Sequence, residues 1–223
     1  YVTRSQPSIG VHQAPVEVSV FCNYQSIHCA RMAKTYAHLE GLYKGKLKFV
    51  YFDFPQKFHR YSAVSAQAAR CADQNNQLAN YQSALWASQN ELKLPRLLQL
   101  AEQLGMNGPE FEACMNQSSV MQHIKENISM ANAMGLNGVP VTLINGLYLN
   151  GPKSIDDLRY YIDTELERTR GNVADKRKHP KGELKQATRE QADIPESQLA
   201  LRLEEVRIIG AENTVDSGES WAV

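Results

Sequence analysis

The residues best suited to chemistry lie in one short stretch, VFCNYQSIHCARM, Val20 to Met32. It holds two of the four cysteines, Cys22 and Cys29, with Ser26 and His28 between them. Thiol–disulfide exchange needs one thiolate that attacks and a second thiol that resolves the mixed disulfide. A helix N-terminus favours the attacker, because exposed amide donors and the helix dipole stabilise a negative sulfur. Cys29 falls in the first turn of a predicted helix, so it stands in such a place. A Cys-X-X-Cys pair would put its other sulfur at position 26, which is Ser26. A hydroxyl forms no disulfide and ionises far less readily than a thiol. Cys22 stands four residues further back, at the end of a predicted strand.

The elements around this stretch are legible from periodicity. APVEVSVF, Ala14 to Phe21, alternates as a strand does. The segment from Cys29 carries Met32, Tyr36, Leu39, Leu42 and Tyr43 at helical spacing, with Gly45 as a stop. KLKFVYFDF, Lys46 to Phe54, is a second strand closed by Pro55. A strand–helix–strand unit of this length makes a parallel, right-handed crossover. From Tyr61 to Met134 the pattern is helix after helix, broken at Gly105 and at Asn107-Gly108. VPVTLINGLYLNG, Val139 to Gly151, is a hairpin turning at Asn145-Gly146. A last helix follows, with Ser154 as N-cap and Asp156 and Asp157 in its first turn. After Gly171 the chain turns charged and poorly periodic, and it ends in one short strand pattern, ALRLEEVRIIG.

The 223 residues suffice for one sizeable core and an appendage. Formal net charge is zero, which gives no electrostatic footprint for nucleic acid. The basic run DKRKHPK, Asp175 to Lys181, reads as part of a solvated arm. No apolar run is long enough to span a bilayer. The opening YVTRSQPSIG has no apolar signal core, so the chain is expected to be cytosolic or a mature exported form. The six histidines show no metal-ligand spacing with cysteine beyond the adjacent His28-Cys29, and neither a metal nor another cofactor is expected.

Four blocks in this order resemble one known family. FCNYQSIHCARM, KFVYFDFPQKFHRYSAVSAQAARCA, EFEACM and GLNGVPVTLINGLYLNG are similar to segments of the DsbA-type thiol–disulfide oxidoreductases. The resemblance covers roughly residues 14–170. It implies an α/β chain of thioredoxin-like fold with an inserted all-helical subdomain and a C-terminal extension. The expected division is an N-terminal extension over 1–13, a thioredoxin-like domain over 14–170 with the insertion at about 60–135, and a charged linker with a β arm over 171–223.

The same resemblance assigns roles. Position 26 is the family's nucleophile seat, here Ser26, and Cys29 is the resolving cysteine; His28 stands where some members carry histidine. Val139-Pro140 is the family's cis-proline site, where an extended substrate offers its backbone; alone, the dipeptide reads as an ordinary proline opening a strand. Cys71 and Cys114 match a structural disulfide in part of the family, which fits an oxidising compartment. The implied activity is exchange on disulfides of secreted or envelope proteins, in a periplasmic or other extracytoplasmic space. Implied partners are extended polypeptides and a membrane redox protein. By composition, residues 171–223 read as an arm that packs on this domain, on a twin subunit as a homodimer contact, or on a partner.

The residues leave three readings of Ser26 open. The serine replaces a natural cysteine and disables the enzyme. Alternatively, the domain is a redox-silent relative that binds polypeptides or takes part in assembly. In the third reading Cys22 and Cys29 form an unusual redox pair, which needs their Cα atoms within about 7 Å.

Overall fold

A computed structural model describes residues 6–171. The arm expected over 171–223 lies, beyond Gly171, outside the described residues. The chain runs β1 (Ser8–Gly10), β2 (Val16–Cys22), α1 (Ile27–Leu42), β3 (Leu47–Asp53), then five helices. These are α2 (Ser62–Gln74), α3 (Leu78–Ala87), α4 (Leu94–Gln103), α5 (Gly108–Met115) and α6 (Ser118–Ala133). The hairpin β4 (Val141–Ile144) and β5 (Leu147–Asn150) and the helix α7 (Ile155–Thr169) complete the described part.

The sheet order is β1-β3-β2-β4-β5. β2 and β3 pair in parallel, as the strand–helix–strand unit requires, and β4 runs antiparallel to β2. Alternation along β2 decides its packing. Val16, Val18 and Val20 face Met32, Tyr36 and Leu39 of α1 and Leu158 and Ile162 of α7. Phe21 points the other way and stacks on Phe52, with ring centroids 4.6 Å apart. One face of the sheet therefore packs on α1 and α7, and the other receives Met130, Ala131 and Met134 from α6 and the residues that follow it.

The insert has its own apolar cluster, built on the alanine-rich face of α2 with Leu78, Tyr81 and Leu85 of α3, Leu97 and Leu100 of α4, and Phe111 of α5. Cys71 on α2 and Cys114 on α5 are joined by a disulfide, with Cα atoms 6.0 Å apart. Asn145 and Gly146 both have positive φ, 46° and 87°, as a tight hairpin turn with right-handed twist requires. Ser154 caps α7 in a capping box with Asp157.

One strand lies in the segment read as an N-terminal extension. Ser8–Gly10 pairs antiparallel with β3 as an edge strand. Three residues are too few to carry a period. Gly10, at φ +103°, lies so close to the Leu47 carbonyl that a Cβ would collide with it.

Candidate active site

The site is the corner between β2 and α1. Ser26 is the N-cap of α1, in extended conformation, and its Oγ accepts the backbone N–H of Cys29 at 3.3 Å. Cys29 is thus the third residue of the helix, where one of the unpartnered amides of the first turn is satisfied by the cap. The Cys29 side chain is fully buried, at 0% exposure, and Cys22 is half-buried.

Cys22 and Cys29 are joined by a disulfide, with Cα atoms 5.8 Å apart. Of the three readings of Ser26, the third needs this pairing, and the Cα separation lies within its limit of about 7 Å; Cys29 is thus bonded to Cys22, with no partner at position 26. The corner turns sharply enough to bring the strand end onto the first helical turn. Asn23 makes that turn: its carbonyl accepts from Ser26 N–H at 3.2 Å and its side chain accepts from Gln25 N–H at 3.1 Å.

Strand register places two further residues level with Cys22. On one side it pairs with Asp53 of β3. On the other, Phe21 pairs with Val141, so the next residue back on that strand, Pro140, comes level with Cys22. The Val139-Pro140 peptide bond is cis, Pro140 is buried, and its carbonyl accepts from Gly151 N–H at 3.0 Å. The topology thus gathers Cys22, Cys29, Ser26 and Pro140 at one end of the sheet. His28 is exposed on the first turn, and its imidazole forms no hydrogen bond with the other described residues. Cys71 and Cys114 lie in the insert's apolar cluster, which Tyr24 of the corner also joins. No group of three His, Cys, Asp or Glu side chains among the described residues could hold a metal ion.

The insert clasps the corner with residues that carry no signal in the sequence. Gln89 Nε2 donates to the carbonyls of Tyr24 at 2.7 Å and Ser26 at 3.1 Å. Gln82 Nε2 donates to the Tyr24 hydroxyl at 3.0 Å, and the Trp86 ring packs 4.7 Å from that of Tyr24. Burial, with nearby Asp53 adding to it, pushes the Tyr24 phenol well above its ordinary value, so it stays neutral as an acceptor for Gln82.

Behind the corner lies a buried polar cluster. Arg70 of α2 donates through Nε to Asp53 at 2.5 Å and through Nη2 to Gln6 at 2.8 Å. Asn127 of α6 packs its amide against Gln6 at 3.0 Å. Burial raises the Asp53 carboxyl and Arg70 opposes that rise. The cluster ties the N-terminal segment, the insert and β3 together through Asp53, the register partner of Cys22.

A cavity of about 790 Å³ opens beside the disulfide. Both cysteines line it, together with the α1 face from Ile27 to Glu40 and the α3 face from Ala79 to Ala87. Val139 and Pro140 are not among its lining residues.

Comparison with known proteins agrees with this architecture. The chain is similar to a thioredoxin-like oxidoreductase from Silicibacter pomeroyi, at 22% identity and TM-score 0.65, over 73% of this chain and 93% of that one. It is similar to α-DsbA1 of Wolbachia pipientis, at 18% identity and TM-score 0.67, over 74% and 93%. Oxidised BdbD from Bacillus subtilis matches at 18% identity and TM-score 0.66, over 74% and 94%. Among curated sequences, the Na(+)/H(+) antiporter NhaA 3 of Salinispora tropica is 25% identical over 150 residues, which are 67% of this chain and 23% of the antiporter. The chain spans about a quarter of the length of the curated relatives it matches. No helix among the described residues is long and apolar enough to cross a membrane. The thioredoxin family profile matches residues 3–164, and with the sheet, the helical insert and the corner described above, the chain belongs to the thioredoxin family and has the DsbA-like form of its fold.

Proposed function

We propose that this domain carries out thiol–disulfide exchange on extended polypeptides through the Cys22–Cys29 bond, which takes over from the family's 26/29 pair. The observation that carries the reading is the bond itself: two sulfurs joined at the N-terminus of α1 and level with Pro140. An attacking thiolate on a client would take Cys22, the more exposed of the two residues. Cys29 would then leave as a thiolate in the first helical turn, where amides and dipole favour negative charge. The client backbone would lie along Val139-Pro140. Ser26 serves as the helix cap in this scheme and contributes no redox step, and His28 adds a nearby donor at the rim. Two disulfides in one domain fit an oxidising, extracytoplasmic compartment. Sustained turnover there requires reoxidation by a membrane redox partner.

Burial of Cys29 and Ser26 favours a second reading, a redox-silent module that holds polypeptide along Val139-Pro140. Refolding of a reduced, disulfide-requiring polypeptide by stoichiometric oxidised protein separates the two. Exchange predicts faster disulfide formation, lost in Cys22→Ser and in Cys29→Ser and retained in Ser26→Ala. No acceleration by the unaltered protein, with peptide binding intact, would sink the exchange reading and favour the second.

A further inference from the structure

We propose that the cavity between α1 and α3 admits a small peptide-type thiol that carries carboxylates, and that this thiol exchanges directly with Cys22–Cys29. The inference rests on the exchange reading and names a second reactant for that bond.

Moving the bond from 26/29 to 22/29 changes where it can be reached. Ser26, at the helix tip, is 4% exposed and Cys29 is 0% exposed. Cys22 is half-buried, and both sulfur-bearing residues form part of the wall of the lateral cavity. At about 790 Å³ that cavity falls in the range of small-molecule sites, roughly 300–1,000 Å³.

Its walls match a zwitterionic peptide. Small residues, Ala30, Ala33 and Ala37 on α1, leave room along one side, and Trp86, held against Tyr24, adds an apolar ring to the lining on the other. Arg31 and Lys34 line the cavity on the first turns of α1, near Cys29, and Glu40 lines it further along the same helix. From Arg31 to Glu40 the helix rises roughly 13 Å at 1.5 Å per residue. None of the three forms an ion pair among the described residues. Two cations near the bond suit carboxylates next to the reacting thiol. The carboxylate at the far end suits an ammonium. Unpaired charges at the rim of a low-dielectric cleft focus the field on such a reactant.

The chemistry balances with two molecules of thiol. The first attacks as a thiolate on Cys22 Sγ, forming a mixed disulfide, while the Cys22–Cys29 bond breaks and Cys29 leaves with the electron pair. A second thiolate attacks the small-molecule sulfur of that mixed disulfide and releases the Cys22 thiolate. Two thiols are oxidised to one small disulfide, the protein disulfide is reduced to a dithiol, and the two protons end on Cys22 and Cys29.

Glutathione and the neutral thiol 2-mercaptoethanol serve as probes. The protein is exposed to each, quenched by alkylation and mapped by mass spectrometry, so that Cys22–Cys29 is read separately from Cys71–Cys114. Arg31 and Lys34 are both exposed, so Arg31→Glu with Lys34→Glu leaves the fold intact. The glutathione rate is expected to fall at least tenfold in that variant, relative to the mercaptoethanol rate. A relative change under tenfold overturns the proposed site and leaves the exchange reading standing. If neither thiol reduces the bond in folded protein while both reduce it in urea, the exchange reading fails and this inference fails with it.

Discussion

Ser26 Oγ and the backbone N–H of Cys29 are hydrogen-bonded at 3.3 Å across the first turn of α1. The residue that looks like a missing sulfur is therefore the helix cap that holds its neighbour in place. Capping explains why serine is accepted at this position, since Ser ranks with Asn and Asp as the best N-cap residues.

Removing that cap has a measurable cost. Ser26→Ala is expected to destabilise the domain by about 1 kcal/mol, while the Cys22–Cys29 bond survives. Urea unfolding gives the first quantity and disulfide mapping the second. A loss of the bond in Ser26→Ala would mean that the cap, rather than the strand-to-helix corner, aligns the two sulfurs.

Cys71–Cys114 should act on stability alone. The bridge closes a loop with a sequence separation of 43, worth about 3 to 4 kcal/mol in the chain-entropy treatment. Replacing both cysteines with alanine is expected to lower the unfolding free energy by that order and to leave exchange at Cys22–Cys29 within twofold. Equilibrium unfolding and the refolding assay above test both halves. An exchange rate that collapses in the folded variant would tie the insert's bridge to the chemistry.

The Asp53–Arg70 pair is fully enclosed, so breaking it is costly. Both side chains are nearly inaccessible, at 8% and 5% exposure. Arg70→Met leaves an unpaired buried carboxylate, and the expected loss is about 3 to 5 kcal/mol. Adding Asp53→Leu to Arg70→Met should recover a large part of it, because the desolvation cost disappears with the charges. A double-mutant cycle by chemical denaturation reads the coupling. Additive losses would show that the two residues contribute independently.

Acid stability should report His59. Burial lowers its pKa below the ordinary 6.5, and its Nδ1 is buried without a hydrogen-bond partner among the described residues. A depressed folded pKa means that the unfolded chain takes the proton first. Stability from this group is therefore complete above about 6.5, falls as pH drops below that value, and levels off beneath the folded pKa. His59→Gln is expected to flatten this part of the stability–pH curve. Matching curves for the two proteins between pH 7 and 5 would remove His59 as a cause.

Gln89 tests the clasp on the corner. Its amide serves two carbonyls, those of Tyr24 and Ser26. Gln89→Ala is expected to cost about 1 to 2 kcal/mol and to speed hydrogen exchange of the amides from Asn23 to Cys29. Unchanged exchange there would show that Asn23 and the cap hold the corner unaided.

By itself the sequence determined the order of elements and the ends of several. Alternation along β2, the apolar run of β3 closed by Pro55, Asn145-Gly146, and Ser154 with Asp157 are local signals, because period and cap chemistry act within a few residues. The four motif blocks located the corner, the helical insert and Val139-Pro140 for the same reason. The tertiary structure decided which sulfur faces Cys29. That choice depends on how sharply residues 23–26 turn and on the register of β2 between Asp53 and Pro140. It also decided that Gln82, Trp86 and Gln89 grip Tyr24 and Ser26, and that Arg70 reaches Asp53. These contacts join residues far apart in the chain. A glutamine on a helix face reads the same whether it meets solvent or a loop, so only packing assigns it a partner.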